Sequence, residues 1–172
     1  IAEGFTAAES ISLRDAARLW EHRPTAEQKV RVETDRDLLR QTAASRRFGE
    51  VRLFRYAEQF SETQQQQFSA TAFLLDSDTV YVAFRGTDNT LTGWREDFNL
   101  SFLPYVPSQA AAAAYLWGIL SLGFSNVYVG GHSKGGNLAV YAAVQMQPED
   151  FPRIRAVYNN DGPGFVTDLF AE

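Results

Sequence analysis

Gly131-His132-Ser133-Lys134-Gly135 sets a serine between two glycines, at the junction of two unlike patterns. Before it runs Val127-Tyr128-Val129, β-branched and aromatic; after it runs Gly136-Asn137-Leu138-Ala139, small and helix-compatible. A G-x-S-x-G spacing between strand and helix makes the sharp turn that lifts a serine hydroxyl clear of a sheet's end. The glycines leave room for neighbouring backbone. The first N–H groups of the helix, with its positive dipole end, face any oxyanion that forms at the hydroxyl. The chemistry expected of Ser133 is nucleophilic attack on an acyl carbon. In a chain of this length the bare pattern arises by chance roughly one time in twenty, so the flanking strand and helix carry the reading.

A second stretch points to the same place. Val80-Tyr81-Val82-Ala83-Phe84 is an apolar strand that ends abruptly in Arg85-Gly86-Thr87-Asp88. Polar groups then emerge at the C-terminal end of a strand, where open α/β sheets bind their ligands. Lys134 needs explaining, because a cation in the first turn of a helix costs about 0.3–1 kcal/mol. Its counterpart is read as a carboxylate near the strand ends, Asp88 or Asp161, or as an anionic group of the substrate; an ammonium reaching solvent is the third option. A serine nucleophile also needs a base, usually a histidine held by a carboxylate. The chain has two histidines. His132 adjoins the nucleophile, where neighbouring side chains diverge, and is expected to pack in the turn. His22 lies on the N-terminal helix and is expected at the surface. A Ser133–Lys134 dyad is the alternative, although adjacent residues on such a turn seldom face each other.

These groups need elements to hold them. Ala7, Ala8, Ile11, Ala16, Leu19 and Trp20 recur at helical spacing, so a helix is expected over 6–22, closed by Pro24. A second is expected over 35–47 with Leu38, Leu39, Thr42 and Ala43 inward and Gly49 as its cap. Strands follow over 51–57, 68–75 and 79–84, with the polar segment 61–67 as a loop and Asp76-Ser77-Asp78 as a hairpin turn. Residues 86–107 read as mostly irregular. Ser108 caps an alanine-rich helix over 109–122, Gly123 ends it, and strand 126–129, helix 135–146 and strand 154–158 follow. Strand and helix alternate from residue 108 onward, which predicts parallel pairing with right-handed crossovers.

Composition bounds the function. The 172 residues are 45% hydrophobic and 22% charged, as in an ordinary globular domain. A net charge of −5 gives no electrostatic reason for a nucleic-acid partner, and Arg46, Arg47, Arg52 and Arg55 read as a solvated face. Without cysteine there is neither a disulfide framework nor a thiolate metal site. No apolar run reaches the roughly 18 residues of a membrane helix. A cytoplasmic location is expected; secretion stays open, because Ile1 is not an initiator methionine.

Together, Phe84-Arg85-Gly86-Thr87, Trp94 followed three residues later by Asp97, and Gly131-His132-Ser133-Lys134-Gly135-Gly136 resemble the class 3 lipases of the α/β-hydrolase superfamily. Arg85–Asp88, Gly93–Ser101, Gly130–Ala143 and Tyr158–Phe165 resemble more closely a bacterial lipase-like group that carries Gly-His-Ser-Lys-Gly-Gly-Asn and Asp-Gly-Pro-Gly-Phe. The resemblance covers roughly residues 48–165. It implies that Ser133 is the nucleophile and that the N–H groups of Lys134 and Thr87 form the oxyanion hole, with the Thr87 hydroxyl a further donor. Arg85 would hold neighbouring loops together, and Trp94 and Asp97 would be packing and loop anchors. Asp161 does not match the triad acid, which lies one strand further on; it would orient Lys134 or a loop.

The fold expected is α/β: an α/β-hydrolase-like mixed sheet, mostly parallel, with an N-terminal antiparallel hairpin and flanking helices. One domain spans 1–172, with 1–48 as an N-terminal helical segment and 49–172 as a sheet core. The resemblance also implies further strands and a C-terminal histidine, so the chain is read as lacking its C-terminal part, triad acid and base included. The activity implied is lipase or esterase hydrolysis of a small-molecule or lipid acyl ester through Ser133, with no metal or organic cofactor. A catalytically silent binding or scaffold domain and an amide or thioester hydrolase are the alternatives. The oligomeric state is left open.

Overall fold

A computed structural model describes residues 10–25, 28, 30 and 32–167. Val80, Val82 and Phe84 alternate with half-buried neighbours, and this period of two makes Thr79–Phe84 a strand with one face inward. In chain order the strands are β1 (Ile11–Ser12), β2 (Arg52–Ser61), β3 (Gln66–Leu74), β4 (Thr79–Phe84), β5 (Asn126–His132) and β6 (Ile154–Asn160). They form one sheet in the order β1-β2-β3-β4-β5-β6. The helices are α1 (Leu13–Glu21), α2 (Thr34–Ala44), α3 (Leu91–Asn99), α4 (Pro107–Leu120) and α5 (Lys134–Val144).

The expected parallel neighbours are present. β4 runs parallel to β5, with Tyr81 opposite Tyr128, and β5 runs parallel to β6, with Val129 opposite Val157. All three strands therefore end at the same edge. α4 packs on β3, α5 packs on β4, β5 and β6, and the two helices touch each other. Between sheet and helices lie Val80, Val82, Val127 and Val129 of the strands and Leu116, Leu138 and Ala142 of the helices, all fully buried. Alanines at 112, 139 and 142 let the two helices and the sheet approach closely while favouring helix.

Several expectations need correction. The sheet is not mostly parallel: among the described residues three of its five strand pairings are antiparallel. The cause is that β1 adds a third antiparallel pairing to those of β2 with β3 and β3 with β4. Ile11 pairs with Leu53 in β1, so the first helix starts at Leu13, where Ser12 caps it by accepting the Asp15 N–H at 3.0 Å. Residues 1–9, which carry Ala7 and Ala8, lie outside the described residues. The segment before residue 49 is therefore not purely helical. Its helices face inward only in part as expected: Ala43 is buried, but Leu19 and Leu38 are exposed, and Ala17 is the buried residue of the first helix. Helix α2 stops at Ala44, so Gly49 is not its cap. The loop expected over 61–67 is a tight turn, because Ser61 pairs with Gln66 and Phe60 with Gln67. Segment 86–107 contains the nine-residue helix α3.

Candidate active site

Ser133 occupies the turn between β5 and α5 with φ 56° and ψ −130°. A positive φ on a non-glycine residue is strained by about 1–3 kcal/mol, so the surroundings must hold it. Its N–H donates to the Asn160 carbonyl at 2.9 Å, tying the turn to the end of β6, and its carbonyl accepts the Gly136 N–H at 2.8 Å. Gly135 must be glycine for a close approach: a Cβ there would collide with the Phe84 carbonyl of β4. The side chain of Ser133 is half-buried.

The end of β4 comes up against this turn. A Cβ on Gly86 would stand 2.8 Å from the His132 carbonyl oxygen and 3.6 Å from Ser133 Cβ. Thr87 follows directly, and its Oγ1 is buried with no hydrogen-bond partner among the described residues. Asp88 shapes the entry to α3: its Oδ1 accepts the Thr90 N–H at 2.9 Å and the Thr90 hydroxyl at 2.6 Å. A cavity of about 950 Å³ opens here, lined by Gly86, Thr87 and His132 on one side and by Trp20, Arg36 and Leu39 of the N-terminal helices on the other.

Lys134 overturns each expectation made for its side chain. It is fully buried, and its Nζ donates to Glu96 Oε2 at 2.8 Å, to the Gln67 carbonyl at 2.6 Å and to Gln67 Oε1 at 3.0 Å. Its partner is therefore neither Asp88 nor Asp161, neither substrate nor solvent. Burial lowers its pKa, and the charge and hydrogen bond of Glu96 push the other way. With all three ammonium protons donated, Nζ has no lone pair to serve as a base for Ser133.

The remaining residues fall into place. Asp161 is exposed in a positive-φ turn after β6, a turn stabilised by Asn159 Oδ1 accepting the Gly162 N–H at 2.8 Å. Arg85 reaches Glu58 at 3.2 Å and Asp88 at 3.9 Å, so it does join neighbouring segments. Trp94 anchors the Asp88 carbonyl through its indole N–H at 3.1 Å, but its ring is exposed and not packed. Asp97 is half-buried; the buried acid of this helix is Glu96, one residue earlier. His132 is exposed at the cavity rather than packed in the turn. His22 is exposed, with Nδ1 2.6 Å from the Arg18 carbonyl.

Three functional supports escaped the sequence reading. Gln67 and Glu96 hold Lys134, as above. Asn137 is fully buried; its Oδ1 accepts from Gln109 at 2.8 Å, and its Nδ2 donates to the carbonyls of Pro163 and Gly164 at 3.1 and 3.2 Å. It thereby holds the Asp161–Gly164 turn against the start of α5. The sequence shows only an asparagine two residues after the G-x-S-x-G turn; its burial, which makes partners obligatory, is a fact of the structure.

A family model described as Mbeg1-like matches residues 42–172. No curated protein matches the chain. Among solved structures, a fungal lipase–inhibitor complex that served as a model for interfacial activation in lipases is 16% identical, with a TM-score of 0.45. The alignment covers 81% of this chain and 54% of the fungal one, so the chain spans about half of that lipase's length.

Proposed function

The chain belongs to the Mbeg1-like family, a lipase-like family, and from that premise and the turn at Ser133 we propose that it is a serine hydrolase of acyl esters. The observation that carries the reading is the backbone of Ser133 at φ 56°, held between β5 and α5 with Gly86 packed against it. A strained serine at a sheet edge, beside the first N–H groups of a helix, is what acyl transfer requires. In this reading the Ser133 hydroxyl attacks the acyl carbon and loses its proton to a base. The leaving oxygen takes that proton from the base and departs as the alcohol. Water, giving a proton to the same base, then attacks acyl-Ser133 and releases the acid as the proton returns to Ser133. The N–H groups of Lys134 and Thr87 stabilise the oxyanion, each worth about 3–4 kcal/mol in such sites. The unpartnered Thr87 hydroxyl supports its use as a further donor.

Neither histidine suits the base. His22 is engaged with Arg18, and His132 adjoins the nucleophile; Lys134 has no free pair. The proposal therefore assigns the base to none of these three groups. Fluorophosphonate labelling tests the reading. The full product of the gene should label rapidly and Ser133→Ala not at all. The 172-residue chain should label slowly, because oxyanion donors and binding alone keep a residual rate of about 10³–10⁴ over water. A full-length product that never labels would replace the hydrolase with a silent binding domain.

A further inference from the structure

We infer that Gln67 and Lys134 are positioning residues, whose side chains together hold the Gly86–Asp88 turn in register beside Ser133; the inference rests on Ser133 being the nucleophile. The chain of contacts is continuous. Lys134 directly follows Ser133, and its ammonium donates to Gln67 Oε1 at 3.0 Å. That same oxygen accepts the Asp88 N–H at 3.2 Å. Asp88 directly follows Thr87, so one amide oxygen of β3 links the serine turn to the turn opposite. An amide oxygen has two lone pairs, and here both are used.

The rest of the network keeps that oxygen still. Lys134 also bonds the Gln67 carbonyl, and Glu96 Oε2 accepts the Gln67 N–H at 2.9 Å. Glu96 Oε1 accepts the Ser108 N–H at 3.0 Å, which brings in the first turn of α4. Gln67, Glu96, Ser108 and Lys134 are all buried, at 0–1% exposure. Stability alone does not account for this arrangement. A buried ion pair is commonly no better than apolar side chains of the same volume. What apolar side chains cannot do is accept the Asp88 N–H in one direction. Gln67 Nε2 has no partner among the described residues, so the side chain is here for its oxygen.

Gln67→Met isolates this function. It removes Oε1 while leaving Lys134 its bonds to Glu96 and to the Gln67 carbonyl, and it also removes the unpartnered Nε2. With p-nitrophenyl butyrate and the full-length enzyme, kcat should fall about 10- to 100-fold, because small misplacement of reacting groups costs that much. KM should stay within about twofold, the mark of a lost transition-state contact. Amide exchange at Asp88 should accelerate at least about tenfold while β3 keeps its protection. Unchanged kcat with unchanged exchange at Asp88 overturns the inference, as does a change in KM alone. If the wild type fails to turn over ester or label at Ser133, the hydrolase reading falls, and Asp88 exchange still decides whether Gln67 holds the turn. Should Gln67→Met not fold, Gln67→Leu makes the same deletion and is read the same way.

Discussion

Lys134 shows how much one side chain can organise. Its ammonium is fully buried against Glu96 at 2.8 Å, so each charge is the other's counter-ion in the dry interior. Removing one partner leaves an uncompensated buried charge, and Lys134→Met should cost about 3–5 kcal/mol in urea denaturation. Lys134→Met with Glu96→Gln should cost less than Lys134→Met alone, because the second change removes the stranded charge and keeps one amide oxygen for the N–H donors. A double variant weaker than the single one would show that the backbone N–H contacts of Glu96, not the pairing, dominate. The proton balance has a definite sign. Burial lowers the Lys134 pKa below its ordinary 10.5, so an NMR titration of its Cε should find a midpoint under that value. Between that midpoint and 10.5 the unfolded chain holds the extra proton, so this group adds stability as the pH rises through the window.

At the scale of elements, α3 runs against its own hydrophobic pattern. Thr92, Gly93 and Glu96 face inward, and Leu91, Trp94 and Phe98 are 76%, 64% and 70% exposed. The reason is local. Thr90 caps the helix by accepting the Gly93 N–H at 3.0 Å, Asp88 fixes the turn before it, and Glu96 is drawn in by Lys134. The polar side is thus the packed side. Phe98→Ser should cost no more than about 0.5–1.5 kcal/mol, because its ring meets Phe102 edge-on, with centroids 5.3 Å apart, and is otherwise exposed. Thermal denaturation checks this, and a loss of several kcal/mol would mean that the aromatic face is packed after all.

Across the whole molecule, the parallel half of the sheet and its two helices form the support on which the serine turn stands. β4, β5 and β6 end together, so Arg85–Asp88, Ser133 and Asp161 all leave the sheet at one edge. Leu138 of α5 is fully buried between the helices and the sheet, one turn beyond Ser133. Leu138→Ala should lose about 2–5 kcal/mol through lost burial and the cavity left behind. Circular dichroism during chemical unfolding measures it; a loss below 1 kcal/mol would mean that α5 sits loosely on the sheet.

What the chain of residues determined by itself was the local grammar of the site. Val127 to Ala139 specifies strand, serine turn and helix, because period-two apolar residues, obligatory glycines and small helix formers act within a dozen positions. Thr79–Phe84 followed by Arg85-Gly86-Thr87 is equally local, and so is the strand–helix alternation after residue 108. Tertiary structure alone decided the rest. Gln67 lies 67 positions from Lys134 and Glu96 lies 38, and no periodicity links them. Their pairing follows from where β3 and α3 meet the end of β5. Lys134 reads as the partner of Asp88, Asp161, a substrate anion or solvent until that meeting supplies Glu96 and the Gln67 carbonyl in the dry interior. Glu96 lies in a stretch that reads as irregular, and only the assembled structure places it on α3 against Lys134. A buried charge pair is chosen by the space between elements, and that space does not exist until the sheet is assembled.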